Sequence, residues 1–478
     1  MTPIPATPIP ATPILATEAS AVAAVSGEQA RTLTVAAIGT VLALVTYTTP
    51  IATLAGTATG LGSGPAGQAW ILSSMSLGLA VALLPAGAIG DDYGRRRMFV
   101  IGAVVLAVTS VLGAFAPTTP VLVLARIGEG LGSAAILACS LGLIGHAFPP
   151  GPRRVYATGI WGACVGGGIA AGPLLAAAMG AAFGWRGAYG LIAVLSAVLG
   201  LLAWRLLTES RADREQPVDL LGMALLGGAL AAVLAGLVEG RAGWGSPLVL
   251  LLLGGGVGLA VVFALVELRL RAPMLDLRLF RRPDFAGVTI AGLATGAGVI
   301  ATMSFLPTLI QRGLGHGVLY AALLLLGWSA TSVVTALLAR RLPARFSSRV
   351  QLVASLLGVA VGQVMLAGID DRAGVGRLLP GLLVAGAASG MLNAALARQA
   401  VASAPQGLAS IGSGANNTAR YLGAALGVTA IAVLATHPDT ASMIAGWNLA
   451  VIVNAGVSAL GALLVLACRT PRAPAHPR

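Results

Sequence analysis

The stretch Gly87-Ala88-Ile89-Gly90-Asp91-Asp92-Tyr93-Gly94-Arg95-Arg96-Arg97 separates two long apolar runs of the chain, at about residues 68–89 and 98–116. Each run is long enough to cross a hydrocarbon layer about 30 Å thick. Glycine permits a tight turn, aspartate can accept backbone N–H bonds at a helix start, and arginines suit an anionic membrane surface. An ordinary basic loop explains the arginines but not the glycine spacing. We therefore interpret the stretch as a specific turn between two antiparallel membrane helices.

The rest of the chain has the composition of a membrane protein. Of its 478 residues 57 % are hydrophobic and 9 % charged, and the mean hydropathy is +0.91, whereas about a quarter of a soluble chain is charged. This composition excludes a soluble enzyme, a disordered scaffold and a secreted disulfide module. The net charge of +13 includes no five-residue basic run and no aromatic-interleaved basic patch, so we expect no nucleic-acid partner.

Fourteen apolar runs are predicted to be transmembrane helices, because barrel strands would be about ten residues long with strict alternation. The fold class is therefore an all-α polytopic membrane protein. The runs lie at about residues 32–56, 68–89, 98–116, 120–148, 155–180, 186–207, 219–238, 247–268, 285–310, 317–338, 349–369, 377–401, 407–434 and 446–468.

The arginines predict the orientation of these helices. In this division 22 of the 27 arginines outside the helices fall on the side that holds both termini. Arginine-rich connections stay in the cytoplasm, so both termini are expected there, in the inner or plasma membrane of a cell. Residues 1–31 begin with a TPIPA repeat and no basic region, which predicts a disordered cytoplasmic tail and no cleaved signal. A second short cytoplasmic tail is expected at 469–478.

The runs form two groups of six. We expect an N-terminal six-helix bundle at 32–207 and a C-terminal one at 285–468, joined by a linker with two extra helices at 208–268 and a cytoplasmic loop at 269–284. The basic turn RRLPARFSSR after predicted helix 10 has the same place in the second group as the turn after predicted helix 2. Two bundles around a midplane site are the architecture of alternating-access transporters.

The turn after predicted helix 2 resembles the helix 2–3 signature of the major facilitator superfamily. Predicted helix 4 carries Arg126-Ile-Gly-Glu129-Gly130-Leu-Gly132, which is similar to that superfamily's fourth-helix pattern. The glycines and proline of predicted helix 5 resemble the antiporter signature, and the extra helix pair resembles the fourteen-helix drug/proton antiporters. The resemblance implies a conformational motif formed by Gly87, Gly90, Asp91, Gly94, Arg95, Arg96, Gly159, Gly168, Gly172 and Pro173.

The chain departs from the family pattern at several positions. Asp92 stands where the family usually has arginine, Glu129 where it has glutamine, and Ala176 and Ala177 where it has glycines. Predicted helix 1 reads VTYTTP at 45–50 and lacks the acidic residue that multidrug members commonly carry. The resemblance therefore does not imply a cationic substrate.

Arg126 and Glu129 are the main candidate functional residues. Each charge near the bilayer centre costs about 2.5–3.5 kcal/mol on insertion scales and persists when it is paired or functional. Their i,i+3 spacing puts both on one helical face. They are either a static ion pair or a proton-coupling pair in which Glu129 exchanges the proton, with Asp91 or Arg420 as the next candidates for coupling. Glu239 and Glu267 are expected at the membrane interfaces.

The substrate cavity is assigned partly through the resemblance. It would be lined by Tyr47, Thr48, Ser304, Asn393, Asn416 and Arg420, together with the coupling pair. Arg420 either lines the same cavity or extends along Asn416 toward the helix end. These side chains are mildly polar and suit many amphipathic compounds.

The sequence therefore predicts a proton-coupled secondary transporter that exports small amphipathic or hydrophobic compounds, such as drugs or antibiotics, by alternating access. A proton symporter that imports a nutrient and a non-transporting membrane receptor or scaffold are the alternatives. No enzymatic activity is expected, because no nucleophile–base pair, metal-ligand motif or Walker-type loop occurs. We expect no cofactor or metal and a monomer whose partners are the substrate, protons and the lipid bilayer.

Overall fold

The computed structural model describes residues 26–212, 219–241, 243–270, 273–341, 346–405, 408–435 and 439–468. Residues 1–25 of the predicted N-terminal tail, residues 213–218 of the predicted linker and the predicted C-terminal tail lie outside the described residues.

The described residues form an all-helical protein with thirteen helices that are long and apolar enough to cross a membrane. The longest, Pro152–Leu206, has 55 residues and would extend about 82 Å at 1.5 Å per residue, enough for two crossings. Gly184 interrupts it with φ 67° and ψ −179°, a conformation that essentially only glycine adopts. We label residues 152–183 α5 and 185–206 α6, which gives the fourteen crossings that the sequence predicts.

The remaining helices are α1 Gly27–Leu61, α2 Pro65–Tyr93, α3 Arg95–Ala114, α4 Thr119–Ala147, α7 Leu220–Gly240, α8 Pro247–Glu267, α9 Pro283–Gly313, α10 Val318–Leu338, α11 Ser348–Met365, α12 Val375–Ser403, α13 Ala409–Ala435 and α14 Thr440–Ala467.

Helices α1 and α9 have features that the predicted runs do not include. Helix α1 begins at Gly27 because Ser26 and Gln29 form a capping box, in which each side chain accepts the other residue's backbone N–H at 3.2 Å. Helix α9 contains π-helical turns at Gly296–Ile300 and Leu309–Gly313. Such turns are typical of functional regions of a helix.

The helices of the two groups begin and end on common faces. Gln29 of α1 donates to the carbonyl of Ala147 at the end of α4 (2.8 Å), and Arg349 of α11 donates to Val465 near the end of α14 (3.1 Å). The starts of odd-numbered helices and the ends of even-numbered helices therefore share one face of the bundle. We call it the terminal face, and the other end the opposite face.

The two six-helix halves pack closely in the part of the helices that is nearer the terminal face, and glycines permit this approach. A Cβ on Gly414 of α13 would lie 2.6 Å from the carbonyl oxygen of Leu83 on α2, and one on Gly162 of α5 would lie 2.9 Å from the backbone nitrogen of Ala394 on α12. The extra helix α7 packs against α2 and α13, and α8 packs against α7. Because α8 is mostly exposed, the extra pair lies on the outside of the bundle.

Candidate functional site

The charged pair of α4 is fully buried. Arg126 and Glu129 both have 0 % exposure, and Nη1 of Arg126 lies 2.8 Å from Oε2 of Glu129. The hydroxyl of Ser110 on α3 donates to Oε1 of the same carboxylate at 2.8 Å. Both carboxylate oxygens are therefore hydrogen-bonded. At 1.5 Å per residue the pair lies about 10–15 Å from the start of α4, well inside the membrane-spanning part.

A proline in α1 explains why the guanidinium reaches that helix. Pro50 lacks an N–H, so the carbonyl of Thr46, four residues earlier, has no donor within its own helix. Nη1 of Arg126 donates to this carbonyl oxygen at 2.8 Å, and Nη2 donates to the carbonyl of Tyr47 at 3.4 Å. The Nε of Arg126 has no partner among the described residues. The pair is thus joined to α1 at its proline.

Asp91 and Arg95 form a second buried pair, at the terminal face. Nε and Nη2 of Arg95 both lie 2.7 Å from Oδ1 of Asp91, and the two side chains are at most 2 % exposed. Across the boundary between the halves, Asp91 accepts the backbone N–H of Ser410 at 3.2 Å and of Ile411 at 2.9 Å, at the start of α13. A helix N-terminus favours a negative charge. Asp91 therefore links the two halves by charge-assisted hydrogen bonds.

Gly94 makes the tight connection between α2 and α3, with φ 127°. A Cβ there would lie 2.7 Å from the carboxylate of Glu209. That carboxylate accepts the backbone N–H groups of Arg96 at 3.0 Å and Arg97 at 3.2 Å, so it caps the start of α3. Glu209 was not predicted as a site residue, because it is one of three acidic residues in the polar connection at 208–218 and nothing in the sequence distinguishes it from the other two.

The other glycines of the predicted motif make close helix contacts. A Cβ on Gly87 would lie 2.5 Å from the carbonyl oxygen of Ser410, and one on Gly90 would lie 2.6 Å from Sγ of Cys139. On α5, a Cβ on Gly168 would lie 2.8 Å from the carbonyl oxygen of Val41, and one on Gly172 the same distance from that of Val45. Gly159 faces α10 instead, and Pro173 removes one backbone donor of α5.

Tyr47 and Ser304 come together between the halves. Ser76 donates to the hydroxyl of Tyr47 at 3.3 Å, and the hydroxyl of Ser304 on α9 interacts with the same group. The ring of Tyr47 meets that of Tyr421 on α13 edge to face, with centroids 5.6 Å apart. Ser76 and Tyr421 were not predicted as site residues. The contacts join α1 and α2 to α9 and α13 across the boundary.

The other predicted cavity residues, Thr48, Asn416 and Asn393, make contacts that do not involve the Tyr47 side chain. Thr48 points away from Tyr47: its hydroxyl donates to the carbonyl of Leu44 at 2.9 Å and lies against Gly172, between α1 and α5. Asn416 donates to the carbonyl of Val288 on α9 at 2.8 Å. Asn393 is buried beside α5, and its Oδ1 has no partner among the described residues.

Arg420 is buried rather than extended to the helix end. Its exposure is 4 %, and it stands next to Tyr421, whose ring contacts that of Tyr47. Of the two acids expected at the interfaces, Glu239 accepts the indole N–H of Trp70 at 2.7 Å, while Glu267, the last residue of α8, is only 3 % exposed because it packs against the start of α7.

Comparisons with known proteins show which proteins this chain is similar to. The family model described as Major Facilitator Superfamily matches residues 36–428. The chain is 30 % identical over 366 residues to the multidrug resistance protein Stp of Mycobacterium tuberculosis, covering 76 % of this chain and 68 % of that protein. It is 31 % identical over 387 residues to the puromycin resistance protein pur8 of Streptomyces alboniger, covering 80 % and 76 %.

A solved structure shows the same fold. The proton:xylose symporter XylE superposes with a TM-score of 0.65 at 15 % sequence identity, covering 92 % of this chain and 95 % of that one.

Proposed function

Because the chain belongs to the major facilitator superfamily, we propose that it is a proton-coupled transporter that exports small amphipathic or hydrophobic compounds by alternating access. The relatives named for multidrug and puromycin resistance support export of drug-like or antibiotic compounds. The arginine distribution supports a plasma-membrane protein with both termini in the cytoplasm. The family is a transporter family, so transport rather than catalysis is the activity to test.

The observation that carries the proton-coupling proposal is the fully buried pair of Arg126 and Glu129. A carboxylate with 0 % exposure stays ionised only while a positive partner and hydrogen bonds compensate its charge. If Arg126 moves away, the carboxylate is left in apolar surroundings with the hydroxyl of Ser110 alone, and it takes up a proton. Glu129 thus has the two states that antiport requires: ionised beside Arg126 and protonated without it.

In this proposal the contacts of Arg126 link substrate binding to the protonation of Glu129. Its guanidinium binds the carbonyl of Thr46 and, more weakly, that of Tyr47, and the side chain of Tyr47 faces the boundary between the halves. A shift of Tyr47 therefore also shifts the carbonyl groups that hold Arg126. Pro50 makes α1 the element that bends at this position. In the antiport cycle that we propose, protonation of Glu129 accompanies movement of Arg126 away from it. Substrate binding at Tyr47 returns Arg126 to Glu129 and displaces the proton, so the protein binds substrate and proton alternately.

The terminal-face contacts would supply the second part of the cycle. Asp91 binds the start of α13 only while the halves are close at that face. The same contact must break for the cavity to open there. In this proposal the described structure, with its halves packed at the terminal face, corresponds to access from the opposite face.

The test uses the purified protein in vesicles with an imposed pH gradient and a panel of amphipathic aromatic compounds. We expect uphill accumulation of at least one compound coupled to proton movement. Glu129→Gln keeps the side-chain shape and mimics the protonated state, so it should still bind the compound but lose accumulation against a gradient. Glu239→Gln, which retains an acceptor for Trp70, is the matched control and should keep coupled transport. Undiminished uphill transport by Glu129→Gln would make the pair a static ion pair.

A further inference from the structure

We propose that the exported compound is an aromatic acid whose carboxylate or phenolate binds Arg420 beside Tyr47 and Tyr421. This inference rests on the proposed function and deepens it, because it names the substrate class.

Three arginines of the described helices are almost fully buried, namely Arg95, Arg126 and Arg420, and one of these three lacks an acidic partner. Arg126 is neutralised by Glu129, and Arg95 is neutralised by Asp91. Arg420 has no ion pair or hydrogen bond to any described residue, and its Nε is buried without a partner. At 4 % exposure the guanidinium is also shielded from solvent. The region between the two halves therefore contains an uncompensated positive charge, at Arg420.

Arg420 lies where the two halves meet. It belongs to α13 of the C-terminal half, and its neighbour in the chain, Tyr421, contacts Tyr47 on α1 of the N-terminal half, with ring centroids 5.6 Å apart. The residue is about 17 Å from the start of α13 at 1.5 Å per residue, near the middle of the bilayer. This is the level at which transporters of two-bundle architecture bind their substrates.

The helix that carries Arg420 is held in position. A Cβ on Gly296 of α9 would overlap the carbonyl oxygen of Arg420, so the two backbones are in direct contact there. Asn416, one turn earlier, is already bonded to the carbonyl of Val288. The backbone below the guanidinium is therefore fixed, while the donors of the guanidinium are not used by the protein.

The buried guanidinium and the adjacent aromatic rings favour an anionic ligand. A guanidinium offers paired N–H donors that match the two oxygens of a carboxylate, and a buried, uncompensated positive charge repels a cationic ligand. The T-shaped rings of Tyr47 and Tyr421, 5.6 Å apart, offer aromatic faces and edges beside the charge. Hydroxyl groups of Ser76 and Ser304 lie at the hydroxyl of Tyr47 and provide further polar contacts. An aromatic ring with one acidic group satisfies all of these features.

The experiment compares three fluorescent probes that share one ring system: 9-anthracenecarboxylate, 9-anthracenecarboxamide and 9-anthracenylmethyl-trimethylammonium. Their dissociation constants are measured by fluorescence titration of the full-length protein in lipid nanodiscs. We expect the carboxylate to bind most tightly and the ammonium probe most weakly. Arg420→Gln should weaken carboxylate binding by about tenfold to a hundredfold, the range for a charge-assisted hydrogen bond, and leave amide binding unchanged.

Two further variants separate charge from structure. Arg420→Lys should retain part of the preference for the carboxylate. Arg398→Gln removes another largely buried arginine of the C-terminal half, one that is bonded to Gln351 near the end of α12, and should leave the ratio unchanged. Equal binding of the three probes, no binding of any, preference for the ammonium probe, or equal loss of carboxylate and amide binding in Arg420→Gln would each overturn the inference.

The vesicle assay distinguishes this failure from failure of the proposed function. Proton-coupled export of neutral or cationic compounds without a preference for acids would overturn only the role of Arg420. Absence of coupled transport for every compound of the panel would overturn the proposed function itself.

Discussion

Replacing Asp91 by asparagine should shift the protein toward the state that is open at the terminal face. The carboxylate is 0 % exposed, accepts the backbone N–H groups of Ser410 and Ile411 across the boundary, and pairs with Arg95 within its own half. The pair with Arg95 survives separation of the halves, because α2 and α3 are joined by the single residue Gly94. The two bonds to α13 do not survive it.

The size of the shift follows from those two bonds. A hydrogen bond to a charged group contributes about 1.5–3 kcal/mol, and one between neutral groups about 0.5–1.5 kcal/mol. Asparagine retains one acceptor oxygen and presents its amide donors to the second backbone N–H. The closed state therefore loses about 3 kcal/mol relative to the open state, which corresponds to a change of about a hundredfold in their ratio.

Spin-label distances measure this ratio. The three cysteines, Cys139, Cys164 and Cys468, are replaced, and labels are placed at exposed positions. Phe183 and Leu319 report on the opposite face and Tyr93 and Ala402 on the terminal face. Asp91→Asn should lengthen the Tyr93–Ala402 distance and shorten the other.

Asp92→Asn is the matched control, since it removes the same charge from the neighbouring residue, which is partly exposed rather than buried. Distance distributions in Asp91→Asn that match the wild type, or that change equally in Asp92→Asn, would refute the assignment of this contact.

Three further predictions concern other parts of the structure. Gly172→Leu should abolish transport while the protein still inserts, because its side chain would overlap α1; Gly180→Leu, where a Cβ meets nothing within 4 Å, should transport normally, and equal activity of both variants would contradict the packing interpretation. Gly184→Ala should lower stability by about 1–3 kcal/mol through backbone strain alone, measured by thermal unfolding in detergent, whereas Gly180→Ala should be neutral or stabilising. Tags on both termini should react only from the cytoplasm, and an external C-terminus would mean an odd number of crossings.

Much of the architecture could be predicted from the sequence because the bilayer imposes a length on every apolar run. The i,i+3 spacing of Arg126 and Glu129 was enough to predict their pairing within one helix. The partners on other helices were not predictable. Pro50 signals a free carbonyl at Thr46, but nothing in the sequence says which helix supplies the donor. Likewise the backbone partners of Asp91 lie more than 300 residues away in the chain.

The sequence also did not predict which face of α1 points toward the other half. Tyr47 and Thr48 were both assigned to the cavity, yet adjacent residues of a helix point about 100° apart. A helix that is apolar on all sides has no polar stripe to mark its inner face. Tyr47 therefore faces the other half while Thr48 packs against Gly172.

The use of main-chain donors by Asp91 has a consequence for genetics. Every amino acid except proline carries the N–H groups that residues 410 and 411 contribute, so substitutions on that part of α13 leave the donors in place. The bonds that Asp91 accepts from α13 involve no charged side chain of α13. A loss-of-function substitution of Asp91 therefore cannot be suppressed by exchanging charges with residue 410 or 411. Second-site revertants of an Asp91 lesion should instead map to the opposite face, where weakening a contact between the halves restores the balance between the two states.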